Sequence, residues 1–118
     1  MTKALRVDDY LGHILTAIER IGRYTADMDE RSFLGSELVQ DAVIRNIEIL
    51  GEASNNILRV APKFAAQHND IPWLVMYTMR NRVSHGYEKV DLEIVWNTIQ
   101  SALPSLYIQV QKAQATVL

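Results

Sequence analysis

Arg80-Asn81-Arg82-Val83-Ser84-His85-Gly86-Tyr87 crowds a guanidinium, an amide, an imidazole and a phenol into one octet. Arginine offers a fixed fork of donors that fits a phosphate, and histidine both takes and gives protons near neutral pH. Together they suit phosphoryl chemistry. In an unbroken helix Arg80 and His85 would point about 140° apart, whereas Asn81 and His85, at i and i+4, would stack on one face. The amide can then fix the imidazole tautomer. For Arg80 to join them, the helix must end or distort near Ser84, as Gly86 would allow, or a second subunit must supply the missing group. Taken alone, an Arg and a His close to a helix C-terminus also fit a plainer role as favourable partners of the helix dipole.

The elements that carry this octet are helical. From Val7, the apolar residues Tyr10, Leu11, Ile14, Ile18 and Ile21 recur at steps of three and four, which predicts an amphipathic helix ending near Met28. His13 flanks that stripe and reads as a surface or boundary histidine. Asp27 to Ser36 reads as a connection, with Ser32 or Ser36 as N-cap of a second helix running to about Val60. Val39, Val43, Ile47, Leu50, Ala53 and Ile57 form its apolar stripe. Asp41, Arg45, Glu48 and Glu52 form a charged one, which on residues alone is a solvated face laced with weak ion pairs. Pro62 opens a short helix through His68, Asn69-Asp70 break it, and Pro72 starts the motif helix, on which Trp73, Tyr77, Arg80 and Ser84 share a face. Both rings read as core beneath the polar site. Asp91 caps a last helix that Pro104 kinks without stopping. The fold class expected is all-α, an antiparallel bundle of four to five helices forming a single domain over residues 1–118.

Composition narrows the function classes. The chain has 118 residues, 48% hydrophobic and 22% charged, which suits one ordinary domain with one core. With no cysteine, disulfide scaffolds and thiolate metal sites are excluded, and the three histidines share no ligand spacing. No signal peptide or membrane-spanning run is apparent, so the expected address is the cytoplasm. A net charge of -2 argues against coating nucleic acid through a broad basic surface, so any RNA contact must be local. Arg80, Arg82, His85 and Lys89 offer such a locality. A hydrolase triad is disfavoured because Ser84 adjoins His85 directly, with no elbow to aim one at the other.

The pattern Arg80-x-x-x-x-His85-x-Tyr87, with Asn81 directly after the arginine, resembles the signature of the HepT-like branch of the HEPN superfamily. Asp41-x-x-x-Arg45-Asn46-x-Glu48-Ile49-x-Gly51-Glu52-Ala53 upstream, and Val90-Asp91-Leu92-x-x-Val95-Trp96 with Leu103-Pro104 downstream, also look like that family. The resemblance implies an all-helical, homodimeric, metal-independent endoribonuclease, the toxin partner of a small nucleotidyltransferase antitoxin. It implies that Arg45, Glu48, Glu52 and Ser84 support the Arg80/His85 site, and that AMP is transferred to Tyr87. The chain departs from the family where Tyr77 and Thr78 stand in place of a small residue before Met79-Arg80-Asn81.

The expected chemistry lets the substrate bring its own nucleophile, the RNA 2′-hydroxyl. His85 serves as general base or acid, Asn81 orients it and Arg80 stabilises the pentavalent transition state, with no cofactor. The competing expectation is a helical module that docks a nucleotide, or a partner enzyme's substrate, without catalysis.

Overall fold

The computed structural model describes residues 3–84 and 91–117, with side chains from residue 6 and without those of residues 83–84. Helix α1 (Lys3–Thr25) buries Val7, Leu11, Ile14, Ile18 and Ile21, the stripe its spacing predicts. It stops three residues short of Met28, where the buried Thr25 hydroxyl donates to the Ile21 carbonyl at 2.8 Å. The expected connection after it contains a short helix, α2 (Glu30–Leu34). Asp29 accepts from the Ser32 amide at 2.8 Å while the Ser32 hydroxyl accepts from the Asp29 amide at 3.0 Å, a reciprocal cap. Phe33 anchors this turn in the core against Trp96, with ring centroids 5.3 Å apart. Ser36, not Ser32, caps α3 (Glu37–Val60).

Helix α3 is the central element, packed between α1 and α5 (Trp73–Ser84). Its Val43, Ile47, Leu50, Ala53 and Ile57 are buried, and Val39 is half-buried. Between α3 and α5 lies α4 (Pro62–Gln67), opened by its proline. The Trp73 indole N–H is shared between the carbonyls of Ala65 and His68, at 3.2 and 3.1 Å, which ties the start of α5 to the end of α4. Trp73 is core, as expected, whereas Tyr77 is only half-buried.

Asp91 caps α6 (Leu92–Asn97), accepting from the amides of Glu93 and Ile94 at 3.1 and 3.2 Å. The kink foreseen at Pro104 is a π-helical turn, Thr98–Ala102, leading into α7 (Leu103–Gln114). Pro104 has no amide hydrogen for the carbonyl four residues earlier, and the Leu103 amide reaches back to the Thr98 carbonyl instead. Helices α1 and α7 run antiparallel, since Gly12 approaches Gln114 while Glu19 meets Tyr107. So do α3 and α5, since Gly51 lies against Arg80 and Ser54 against Met76. Among the described residues the architecture is all-α, with one core to which α1 to α7 and the π turn all contribute. No described helix is long and apolar enough to cross a membrane.

Candidate active site

The outer face of α3 forms the floor of an open groove of about 410 Å³, lined by His13, Arg45, Glu48, Ile49, Glu52, Ala53, Asn56 and Arg80. Three of the four supporting residues expected from the sequence, Arg45, Glu48 and Glu52, therefore share one surface with Arg80. Asp41, one turn earlier, is exposed and does not line it. The charged stripe is thus more than a solvated face, because the Glu52 ion pair runs across to another helix.

Arg80 reaches this groove because α5 lies almost on the backbone of α3. A Cβ at Gly51 would overlap the Arg80 Cβ, and would sit 2.9 Å from the Met76 carbonyl oxygen and 3.0 Å from the Arg80 Cγ. Only hydrogen fits there. The stem of Arg80 is therefore packed while its terminal nitrogens face the groove, and its side chain is 29% exposed. One terminal nitrogen, Nη1, donates to the Asn81 Oδ1 at 3.0 Å, and Nη2 lies 3.6 Å from a Glu52 carboxylate oxygen. Nε is buried and has no hydrogen-bond partner among the described residues.

These contacts hold the guanidinium loosely. The Glu52 carboxylate is half exposed, and an ion pair of this length and exposure contributes on the order of 0–1 kcal/mol. An incoming phosphate, which offers bidentate oxygens, can displace it. The Asn81 amide, expected to orient His85, is seen to accept from Arg80. Ser84 is the last described residue of α5, and His85 and Tyr87 lie outside the described residues.

His13 belongs to this groove, and sequence reasoning placed it on the surface. It is exposed, but α1 packs along α3 so that its flank borders the Ile49, Ala53 and Asn56 face. A periodic pattern shows which stripe is buried; it does not show which neighbour its flank meets. Two arginines and two glutamates leave the groove close to neutral, consistent with local rather than broad contact to a polyanion. Among the described residues, no three His, Asp or Glu side chains come together as a metal-binding group.

A family model described as "Ribonuclease HepT-like" matches residues 14–113, a span that includes α3, the motif helix and every groove-lining residue except His13. A Thermococcus cleftensis protein named "Probable ribonuclease HepT" is 42% identical over 98 residues, covering 83% of this chain and 86% of that one. A Methanocaldococcus jannaschii protein named "Gamma-glutamylcyclotransferase and putative RNase" is 41% identical over 103 residues, covering 87% of this chain and 45% of that longer one. No solved structure matches the chain significantly. The matched span and these identities show that this chain belongs to the HepT-like ribonuclease family.

Proposed function

We propose that the chain is a metal-independent endoribonuclease acting as the toxin of a toxin–antitoxin pair. The observation that carries this reading is Arg80, held by its packed stem at the edge of a groove and paired, among the described residues, through contacts that a phosphate can replace. His85 removes the proton from a ribose 2′-hydroxyl, whose oxygen attacks the adjacent phosphorus. The bond to the 5′-oxygen breaks, that oxygen takes up a proton, and a 2′,3′-cyclic phosphate remains on the upstream fragment. Arg80 stabilises the negative charge that accumulates on the phosphoryl oxygens, a kind of stabilisation that often dominates catalysis. Asn81 holds Arg80 and, four residues before His85 in the sequence, orients the imidazole.

In this reading two copies associate, so that a second His85 supplies the acid for the leaving oxygen. A nucleotidyltransferase partner silences the enzyme. The Tyr87 phenol oxygen attacks the α-phosphate of ATP, its proton is lost and pyrophosphate leaves. The resulting phosphodiester puts negative charge beside the Arg80 fork, where the substrate phosphate must sit.

The test is RNA cleavage by His85→Ala and Arg80→Ala proteins whose helical circular dichroism matches the parent. Both are expected to be inactive. Cleavage at the parental rate by His85→Ala would remove that residue from the mechanism and favour a docking module. Incubation with the partner and ATP should add AMP-sized mass to the Tyr87 peptide and stop cleavage, whereas Tyr87→Phe should stay active and insensitive.

A further inference from the structure

The groove that presents Arg80 is also lined by residues that the cleavage mechanism does not use. Among them are His13, exposed on α1, and Ile49, Ala53 and Asn56 of α3. The His13 ring lies edge-on to Tyr10, with centroids 6.1 Å apart and planes at 69°. Tyr10 is itself half-buried against the core, and its hydroxyl accepts from Arg6 at 3.5 Å. The exposed imidazole therefore has a second, half-buried ring beside it.

The composition of the groove around these residues selects its occupant. A trough for the phosphate chain would be basic throughout, yet here an apolar floor adjoins the carboxylate of Glu52 and the amide of Asn56. Apolar faces with hydrogen-bonding edges describe a nucleobase. Bases splayed out of single-stranded RNA stack on aromatic side chains, histidine included, and are read along their edges by polar groups. The Asn56 Oδ1 accepts from Arg59 at 2.7 Å, which leaves the amide hydrogens for a base acceptor, and a carboxylate accepts from a base N–H. Along α3, Asn56 stands five residues beyond Gly51, the level of the Arg80 stem, or about 7.5 Å, so a base read by Asn56 and a phosphate at Arg80 fit the same or adjacent nucleotides. The groove volume of about 410 Å³ lies within the range of small-ligand sites, roughly 300–1,000 Å³.

We propose that His13, with Ile49, Ala53 and Asn56, forms a subsite for one unpaired nucleobase in the groove where Arg80 holds the phosphate. The inference rests on the reading of the groove as the RNA site. A base-paired strand cannot fill the subsite, because its bases are already stacked and paired within the helix.

The test uses binding rather than cleavage, so that it stands apart from the catalytic reading. The full chain is titrated with a fluorescent 2′-O-methyl oligoribonucleotide of mixed sequence, which lacks the attacking hydroxyl, and with its blunt duplex. His13→Ala, at an exposed helical position where alanine favours folding, is expected to weaken single-strand binding by about 5- to 100-fold, the range measured for losing one stacked base. His13→Phe, which keeps a stacking face without the ring nitrogens, is expected to restore most of it. The duplex should bind weakly to all three proteins. The proposal is overturned if His13→Ala binds the single strand as the parent does, if His13→Phe is as weak as His13→Ala, or if the duplex loses affinity equally. A His85→Ala protein that still cleaves, alongside the expected His13 losses, would sink the catalytic reading and leave the subsite standing.

Discussion

Replacing Gly51 by alanine tests whether the approach of α5 to α3 is what places Arg80. The added methyl would lie 2.9 Å from the Met76 carbonyl and 3.0 Å from the Arg80 Cγ, and would overlap the Arg80 Cβ. Carbon atoms pack best at about 3.5–4.0 Å, so the two helices must separate locally by on the order of 1 Å. Overpacking of this kind costs about 1–3 kcal/mol, and the better helix propensity of alanine returns up to about 1 kcal/mol. The net loss of stability is then about 0–2 kcal/mol, which the fold survives. Activity should suffer more, because a misplacement of about 1 Å at a catalytic group can cost on the order of 100-fold in rate. Initial rates of RNA cleavage and urea denaturation on the same preparation separate the two effects. Gly22→Ala serves as the control, since nothing lies within 4 Å of a Cβ there, and it should gain up to about 0.5 kcal/mol with no change in rate. A Gly51→Ala protein as stable and as active as the parent would refute the reasoning, because Arg80 would then not depend on that close approach.

Arg80→Lys should fold normally, since an ammonium carries no counterpart of the buried Nε, yet it should cleave as poorly as Arg80→Ala; full activity in the lysine variant would end the argument from the guanidinium fork. Excess chelator should leave cleavage intact and the upstream product should end in a cyclic phosphate, so a 3′-hydroxyl end would point to a metal-activated water. The Tyr107 hydroxyl donates to Glu19, and that bond, with partial desolvation and the carboxylate charge, raises the phenol above its ordinary value of 10.0. Because the raised group is the protonated phenol, its contribution to stability is complete below pH 10.0 and is lost as pH climbs through the higher folded value. Denaturation midpoints across that range should fall more steeply for the parent than for Tyr107→Phe, and identical slopes would show that the α1–α7 bond contributes nothing.

The long elements were legible because their burial repeats with the helical period. Ile14, Ile18 and Ile21, and Val43, Ile47, Leu50 and Ile57, are where the stripes of α1 and α3 place them. Helix α2 was not legible, since five residues are too few to show a period, and one buried ring, Phe33, with the Asp29–Ser32 cap fixes it. The proline at 104 announced an interruption, but whether a missing amide gives a bend or a π turn is decided by which carbonyl the preceding amide can reach. The charged stripe was visible as Arg45, Glu48 and Glu52, while its use was not. Only the packing of α5 shows that Glu52 pairs with Arg80 rather than along its own helix. His13 is exposed, as its place beside the α1 stripe foretold, but that it lines the groove was not legible, as a sequence gives the angle of a residue on its helix and not the identity of the helix beside it.

Arg80 unites these observations, since it is the point where an ordinary helix pair gives up stability for chemistry. A buried Nε with no partner among the described residues costs on the order of 1–3 kcal/mol, and an apolar side chain at this position would recover it. The neighbouring α3 residue is glycine, whose helix propensity is about 1 kcal/mol poorer than that of alanine. Both penalties act in one direction: they bring a rigid, planar cation to the edge of a groove and pack its stem so that its head has few alternatives. An arginine that only neutralised a helix dipole would need neither the glycine nor the burial, because an exposed side chain in the last turn does that as well. Arg82, two residues on in the same helix, is exposed in just that way. The contrast between the two arginines, set by one close approach at Gly51, is what the proposed binding role of Arg80 rests on.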